Sequence, residues 1–574
     1  VPDWLEGMDV WTANGTIVEH LRESGHLFYS HDYLHSYPHD WRSKTPTIFR
    51  ATEQWFVAVD KPFGSQKKSL RNRALEAAAK EIEFVPGWGR SRLEGMLESR
   101  PDWCISRQRA WGLPIPAFMN ASEEVLLTGA SVRAVAEVVR EKGSDFWFEA
   151  SPEELLRGYD IDKDPEAPGW LKEAGFSAVH ELTKSEDIFD VWFESGSSWN
   201  SVLREGGIGY PADLYLEGSD QHRGWFQLSL LPGLGATGQS PFKTVLTHGF
   251  MVDAEGHKMS KSEGNAIKVE DVLKKHGADI CRWWVSSLNY PNDIKVDWEF
   301  FKVASDEYRK VRNTIRFLLG NLNDFSPRQD QYSLSDSDRY SVDSWAMGRL
   351  SQLVRDVRSG YESFQFKKVS EAIFDFCNDS MSAVYLAAVK DRLYCDEADS
   401  VRRRRTQTVI YEVAHHLIRV IAPILVHTSE EAWLALRSTD MDSDESVHLR
   451  SLPEVVLWDE DPGWAYVMDF RQQALKALEE AKAVEGGIKN PLDAGIRATV
   501  PSGLLERLRP FSEDLADLCG VSQLVLEEGP ELEMVVLDLR SEPRCERSWK
   551  RDGTVQLRSD GGLLSDRDAE VLGV

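Results

Sequence analysis

DLYLEGSDQHRGWFQLSLLPGLGATGQSPFKTVLTHGFMV, residues 213–252, decides the fold. It opens on a short strand candidate, Asp213 to Leu216, that ends in Glu217-Gly218-Ser219-Asp220. Trp225 to Leu234 is apolar with helical character, and Val245 to Val252 is a second strand candidate. Strands alternating with helices favour a parallel sheet covered by helices. In such sheets ligands sit beyond the carboxyl ends of the strands. The polar clusters after Leu216 and after Val252 both fall at such ends.

The cluster after Val252 is Asp253-Ala254-Glu255-Gly256-His257-Lys258-Met259-Ser260-Lys261-Ser262-Glu263-Gly264-Asn265. Lys258 and Lys261 are separated by two residues, hydroxyls stand at Ser260 and Ser262, and glycines at 256 and 264 bracket the run. Two ammonium groups and two hydroxyl donors on a short loop can hold a triphosphate and follow its charge as it shifts. Lysine suits that task as a flexible point charge. Taken alone, a K-x-x-K pair is more often a solvated loop. A helix with a break near Gly277 is expected next, over Val269 to Leu288.

Further out, residues 1–100 are mixed and rich in aromatics and turn signals. Trp103 to Pro116, dense in Arg, Trp, Gly and Pro, reads as a strand leading into a shaped loop. A more polar insertion at about 120–184 contains helical patterns such as Val132 to Glu141. Beyond Phe300 helical periodicity dominates, over Asp306 to Asn323, Ser341 to Phe364, Lys368 to Lys390 and Val401 to Ile421. Thr428, with Glu431 three residues later, has the spacing of a capping box. Residues 440–470 are acidic and loop-like, and a small α+β tail opens with a helix at Phe470 to Glu485.

Composition sets outer limits. The 574 residues call for three or four domains. Hydrophobic residues at 42%, charged residues at 28% and a mean hydropathy of -0.40 suit a soluble protein with sizeable cores. No apolar run reaches the ~18–20 residues that span a bilayer, so no membrane partner is expected. The start, Val1-Pro2-Asp3-Trp4, has neither the basic nor the apolar region of a signal peptide, and its lack of methionine points to a piece or a processed chain. The net charge of -27 argues against a polyanion partner only globally, because nucleic acid reads local patches. Six scattered cysteines without a C-x-x-C pair fit a reducing cytoplasm and no disulfide framework.

Lys258 to Ser262 spell KMSKS, and this run, between a strand and a helix, resembles the second signature of the class I aminoacyl-tRNA synthetases. Longer blocks narrow the likeness. Asp102 to Pro114 (DWCISRQRAWGLP) resembles a segment shared by the isoleucine, valine and leucine enzymes. Leu216 to Phe226 (LEGSDQHRGWF) is similar to the isoleucine–tRNA ligases of bacterial type. Tyr37-Pro38-His39, Lys44 to Phe56 (KTPTIFRATEQWF), Asp190 to Gly196 (DVWFESG) and Leu246 to Phe250 (LTHGF) point the same way. Ile421 to Leu425 (IAPIL) followed by His427 to Glu431 (HTSEE) resembles the anticodon-binding bundle of the class. The likeness weakens only after about residue 470.

The resemblance implies a multidomain α/β plus all-α protein: the second half of a Rossmann-type catalytic domain, a helical anticodon-binding bundle and a small α+β tail. On it, 1–100 is the end of the editing insertion and the return to the catalytic domain. Residues 101–300 are the second half of that domain, with the insertion at about 120–184 and KMSKS at 258–262. Residues 301–470 bind the anticodon, and 471–574 form a tRNA-binding tail with a degenerate zinc knuckle. The implied activity is ATP-dependent formation of isoleucyl-adenylate and transfer to the 3′ end of tRNA(Ile), by a cytoplasmic monomer using ATP and Mg²⁺.

Lys258 and Lys261 are the implied catalytic pair. Lys258, Met259, Ser260, Lys261, Ser262, His248 and Gly249 are implied to bind ATP. Glu217, Gly218, Asp220, Gln221 and His222 are implied to bind the adenylate. A carboxylate at a strand end can receive an ammonium group or a ribose hydroxyl, whereas a lone His is often structural. Arg107, Arg109, Trp111, Arg312, Arg403 and Arg404 are candidate tRNA contacts, weighed against the commoner reading of charge runs as solvated helix faces.

Three departures qualify the likeness. No H-x-G-H occurs; in the family it lies upstream and supplies the other half of the ATP site, so this chain alone is expected to be inactive. The editing core also lies upstream in the family. The terminal knuckle positions hold Cys545, Ser548, Ser565 and Asp568, one thiolate where tetrahedral Zn²⁺ wants four good ligands, so no zinc is expected. A tRNA-binding paralogue without catalysis, or a valine or leucine relative, stays open as an alternative.

Overall fold

The computed structural model describes residues 2–40, 43–64, 67–253, 255–257, 259, 267–437, 446–455 and 458–574. The chain forms two compact units, 1–62 with 100–194, and 63–99 with 195–574.

The second unit contains the parallel sheet that the opening stretch predicts. Its strands lie in the spatial order Glu83–Val85, Phe242–His248, Ala212–Gly218, all parallel. Phe242, Val245, Leu246, Tyr215 and Phe84 are buried on it. The crossover helix, Trp225–Thr237, is apolar around its whole circumference and buries Phe226, Leu228, Leu230, Leu231 and Leu234, as a helix covered on every side must. It stops at Gly238, whose φ of +74° is the left-handed conformation that glycine adopts without penalty.

The second strand differs from its sequence reading. Val245 to Val252 is not continuous: the sheet strand ends at His248, and Met251–Val252 pairs instead with Ile294–Lys295. The cause is at Gly249, whose N–H donates to Tyr290 O (2.8 Å) while the Asn292 carbonyl fills the space where a Cβ would stand. The predicted break at Gly277 is present: Val269–His276 and Ala278–Ser286 meet there at a φ of +88°.

Long amphipathic helices follow, Trp298–Gly320, Val342–Glu362 and Val401–Ile421, around one apolar core. Lys368 to Lys390 is not one helix. Phe366–Asp375 runs into a π-helical segment, Phe376–Tyr385, and a short helix, Leu386–Ala388, before Lys390–Cys395 begins. The Thr428 capping box is also corrected. The helix begins at Val426, so Thr428 lies inside it. Its first-turn donors, His427 N and Thr428 N, reach the Asp279 carboxylate at 3.1 and 2.7 Å. A carboxylate serves a helix N-terminus better than a hydroxyl because it also meets the positive end of the dipole.

The tail helix spans Trp464–Ala483, starting earlier than the sequence suggested because Trp464, Val467 and Phe470 are core residues. Next to it Ala494–Val500 is flanked by Gln523–Glu528 in parallel and Glu533–Asp538 in antiparallel.

In the first unit, Val10–Glu23 is a helix capped by Asp9. Trp103–Cys104 and Ser106–Arg107 are short strands. The polar insertion opens and closes on one small sheet, Phe118–Met119 against Thr183–Lys184. Its own core gathers Phe118, Val135, Val138, Trp147, Leu155 and Leu171 around the helix Gly129–Lys142.

Candidate functional site

Two adjacent parallel strands deliver the candidate residues to one end of the sheet. Glu217 stands opposite Thr247 and Gly218 opposite His248. Both strands run the same way, so the carboxyl ends that hold Glu217 and His248–Gly249 open on the same side, where ligands of open α/β sheets bind. Glu217 is exposed, and its Oε2 accepts a long bond from the neighbouring Gly218 N (3.3 Å). Gly218 is held tight: a Cβ there would meet Asp220 Oδ1 and the Phe250 ring. A mostly apolar cavity of about 560 Å³ lies against the strand ends, with Leu216, Leu246, His248, Gly249, Phe250 and Tyr290 in its wall.

The turn after the first strand builds its own frame. Gln221 Oε1 accepts from Trp225 N (3.0 Å) at the start of the crossover helix, and its amide donates to Asp220 Oδ2 (3.2 Å). Trp225 stacks on Tyr215 at 4.0 Å, and its indole N–H donates to Ser195 O (2.9 Å).

His222 is placed beneath this turn, fully buried. Its Nε2 shares a hydrogen bond with Thr247 Oγ1 (3.0 Å), its backbone carbonyl accepts from Gln227 Nε2 (2.8 Å), and Trp88 and Phe226 pack against the ring. Burial, with the nearby Arg92 cation adding to it, holds the imidazole down to about 4. At neutral pH the ring is therefore uncharged and bridges the turn to the next strand. Thr247, Trp88 and Gly89, whose missing side chain leaves room for the His222 ring, went unnoticed in the sequence. The position of Thr247 within Leu246 to Phe250 was the available signal.

Lys258, Ser260, Lys261 and Ser262 lie outside the described residues. Met259 is half-buried and packs on the core. Just before it the chain makes a tight turn: Asp253 N donates to His257 O (2.9 Å), and Asp253 Oδ1 accepts from His257 N (2.7 Å). His248 Nδ1 sits 2.7 Å from Gly249 O.

The candidate RNA contacts divide. In the first unit Arg107 pairs with the buried Asp190 (3.0 Å), which also accepts from Trp103 Nε1, whereas Arg109 is exposed and Trp111 is 90% exposed. In the helical region Arg312 is exposed, as is the neighbouring Arg316. Arg403 and Arg404 are turned onto their own protein: Arg403 donates to Asp324 Oδ2 (2.6 Å) and Leu393 O, Arg404 to Asp324 O (2.6 Å) and Asp399 (3.0 Å). Among the described residues no helix is long and apolar enough to cross a membrane.

Residues 23–297 match the family model for class I tRNA synthetases (I, L, M and V), and residues 343–496 match the anticodon-binding domain of tRNA ligases. Isoleucine–tRNA ligase of Kosmotoga olearia is 42% identical over 95% of this chain and 58% of its own length. The enzymes of Persephonella marina and Bacillus cytotoxicus are each 40% identical, over 100% and 99% of this chain and 60% of theirs. The chain thus spans about three-fifths of the length of the curated relatives it matches. On a parallel sheet and a helical bundle, the chain thus carries in series a class I tRNA synthetase domain of the I, L, M and V group over residues 23–297 and a tRNA-ligase anticodon-binding domain over residues 343–496.

Proposed function

We propose that this chain supplies the second half of the activation site and the tRNA-binding region of an isoleucine–tRNA ligase. The observation that carries the reading is the register of the two strand ends, which sets Glu217–Gly218 beside Thr247–His248 just ahead of the KMSKS run. The family and the identity of the relatives as isoleucine–tRNA ligases support it.

In this reading the isoleucine carboxylate attacks the α-phosphorus of ATP, the bond to the β-phosphate oxygen breaks, and pyrophosphate leaves. The terminal ribose hydroxyl of tRNA(Ile) then attacks the acyl carbon and AMP leaves. No side-chain nucleophile is needed, so the protein acts by positioning and by stabilising charge. Glu217 receives the ammonium group of isoleucine or a ribose hydroxyl. Lys258 and Lys261 follow the charge onto the leaving pyrophosphate, and the backbone at His248–Gly249 approaches the nucleotide. ATP enters as its Mg²⁺ complex. His222, buried and uncharged, positions the turn that follows Glu217. Residues 1–574 contain no H-x-G-H run, so activation is expected to need residues outside this sequence.

Amino-acid-dependent ATP–pyrophosphate exchange tests this, on the chain alone and on the chain extended to the length of its relatives. Exchange with isoleucine by the extended protein, and none by the chain alone, is expected. Exchange with valine or leucine instead would assign a sibling specificity. A folded extended protein that binds tRNA without exchanging would favour the non-catalytic reading.

A further inference from the structure

Family likeness implies a zinc knuckle at Cys545, Ser548, Ser565 and Asp568, and the chain does bring these positions together. The ribbon Gln556–Leu557 with Leu563–Leu564 folds the helix Asp566–Leu572 back onto the turn that holds Cys545 and Ser548. A small apolar cluster of Cys545, Val555, Leu564 and Ala569 closes around it. What stands at the focus is a carboxylate. Asp568 is fully buried. Its Oδ2 accepts from Cys545 Sγ (2.9 Å) and from Ser565 Oγ (3.0 Å). Its Oδ1 faces Arg567 Nη2 (3.1 Å) and Arg547 Nε (3.8 Å). Ser548 Oγ is shut off from solvent beside it.

This donor set does not fit zinc. A structural site takes four nitrogen, thiolate or carboxylate ligands. Here one sulfur is spent as a hydrogen-bond donor, and two positions are hydroxyls. Ser565 is further committed as the helix N-cap, its Oγ accepting from Asp568 N (3.2 Å), the role for which serine is among the best residues. Both carboxylate oxygens are occupied, and a dication would be pushed into two guanidinium groups.

The geometry points to a metal-independent knuckle, in which the Asp568 carboxylate stands at the centre a metal would take and gathers Cys545, Ser565, Arg547 and Arg567 around it. The same charges dock the knuckle. Arg567 continues to Asp391 (2.6 and 3.1 Å) and Asp396 (3.4 Å) at the helix Lys390–Cys395, and Arg547 Nη2 donates to Cys395 O (3.2 Å). Lys550 joins Asp391 (3.1 Å) to Asp517 (2.7 Å). Arg567 therefore couples the folding of the knuckle to its attachment on the helical bundle, and neither depends on metal supply.

The test begins with the unaltered chain, expressed in zinc-supplemented medium. Metal content well below one zinc per chain, and thermal unfolding unchanged by a strong chelator, are expected. About one zinc per chain, or a chelator-induced drop in Tm, would overturn the proposal. A second arm restores thiols in the combined variant S548C/S565C/D568C. It is expected to take up about one zinc per chain and to become chelator-sensitive; failure to bind zinc while folded would show that Asp568 does not stand at the metal's place. In a third arm Asp568→Asn should raise hydrogen exchange and protease cleavage within residues 545–569 without altering the sheet at 212–248. Unchanged protection at 545–569 would remove Asp568 from the centre.

Discussion

Glu217 and Gly249 show how differently two residues at one strand-end site can be needed. Glu217 is exposed and among the described residues its carboxylate is held by its neighbour alone, so its replacement should act on chemistry and spare the fold. Glu217→Gln is expected to lower kcat/KM for isoleucine-dependent exchange by about 100-fold in the extended protein, roughly 2.7 kcal/mol of lost stabilisation, at unchanged Tm. A matched fall in Tm would mark it as structural. Gly249→Ala should act on the fold as well. The Asn292 carbonyl occupies the Cβ position, and both segments are pinned by the bonds from Gly249 N to Tyr290 O and from Phe250 N to Asp293 Oδ1. Overpacking of this kind costs about 1–3 kcal/mol, readable as a lower urea midpoint at constant m-value. His222 adds a pH dependence. Its folded value of about 4 lies below the ordinary 6.5, chiefly through burial. Between those values the unfolded chain takes up a proton that the folded chain refuses. Stability should be flat with respect to this group above pH 6.5 and fall as pH drops towards 4, by roughly 1.4 kcal/mol per pH unit. His222→Gln keeps a polar side chain and cannot titrate, so urea unfolding at pH 7 and pH 5 should show a smaller difference than the parent. Equal differences would mean that His222 does not set the slope.

At the scale of elements, what the sequence showed was what local pattern determines. The run from Leu214 to Val245 reads as strand, helix, strand because each piece carries its own apolar signal, and Gly277 breaks its helix by a conformation written into the residue. What escaped was set by partners far along the chain. Thr428 resembled an N-cap until Asp279 came from 149 residues away to take the cap. The basic run Arg402 to Arg405, which includes the candidate tRNA contacts Arg403 and Arg404, is tied to acids far along the chain: Arg402 pairs with Asp517 (2.6 Å) and Arg405 with Asp343 (2.9 Å). The four knuckle positions were legible, but the carboxylate at their focus was not, because it depends on how Arg547 and Arg567 close over it. The same buried charge lattice contains Arg392, fully buried against Asp514 (2.5 Å), Asp517 (3.4 Å) and Asp343 (3.5 Å). Removing it leaves the buried carboxylates one cation short, with only Arg402, Arg405 and Lys550 remaining beside them, which costs far more than the pair itself contributes. Arg392→Met is expected to destabilise the chain by about 3–5 kcal/mol in urea unfolding. Arg309→Met, at an exposed pair with Asp306, should stay within about 0.5 kcal/mol. Similar effects at both sites would refute the distinction.

For the molecule as a whole, a net charge of -27 and a proposed polyanionic partner are reconciled only if the positive charge available to RNA is local. The structure narrows where that charge is. Arg403 and Arg404 are spent on Asp324 and Asp399, and Arg107 on Asp190, while Arg312 and Arg316 project from Trp298–Gly320 as exposed groups beside a cavity of about 540 Å³ that they help to line. The sequence ranked these arginines together, since a guanidinium committed to its own fold and one left for a ligand look alike in one dimension. They should separate in a tRNA-binding titration on this chain, without any need for catalysis. Reversing Arg312 and Arg316 to glutamate is expected to weaken binding of tRNA(Ile) and to reduce the slope of log affinity against log salt by about 1 for each phosphate no longer neutralised, at unchanged Tm. Arg403→Gln should lower Tm, because Asp324 loses one of its donors and the Leu393 carbonyl loses the Arg403 guanidinium, and leave the salt slope where it was. If Arg403→Gln changes the slope and the double reversal does not, the RNA face lies on the other side of the bundle, and the exposed helix surface at Arg312 is only a solvated face.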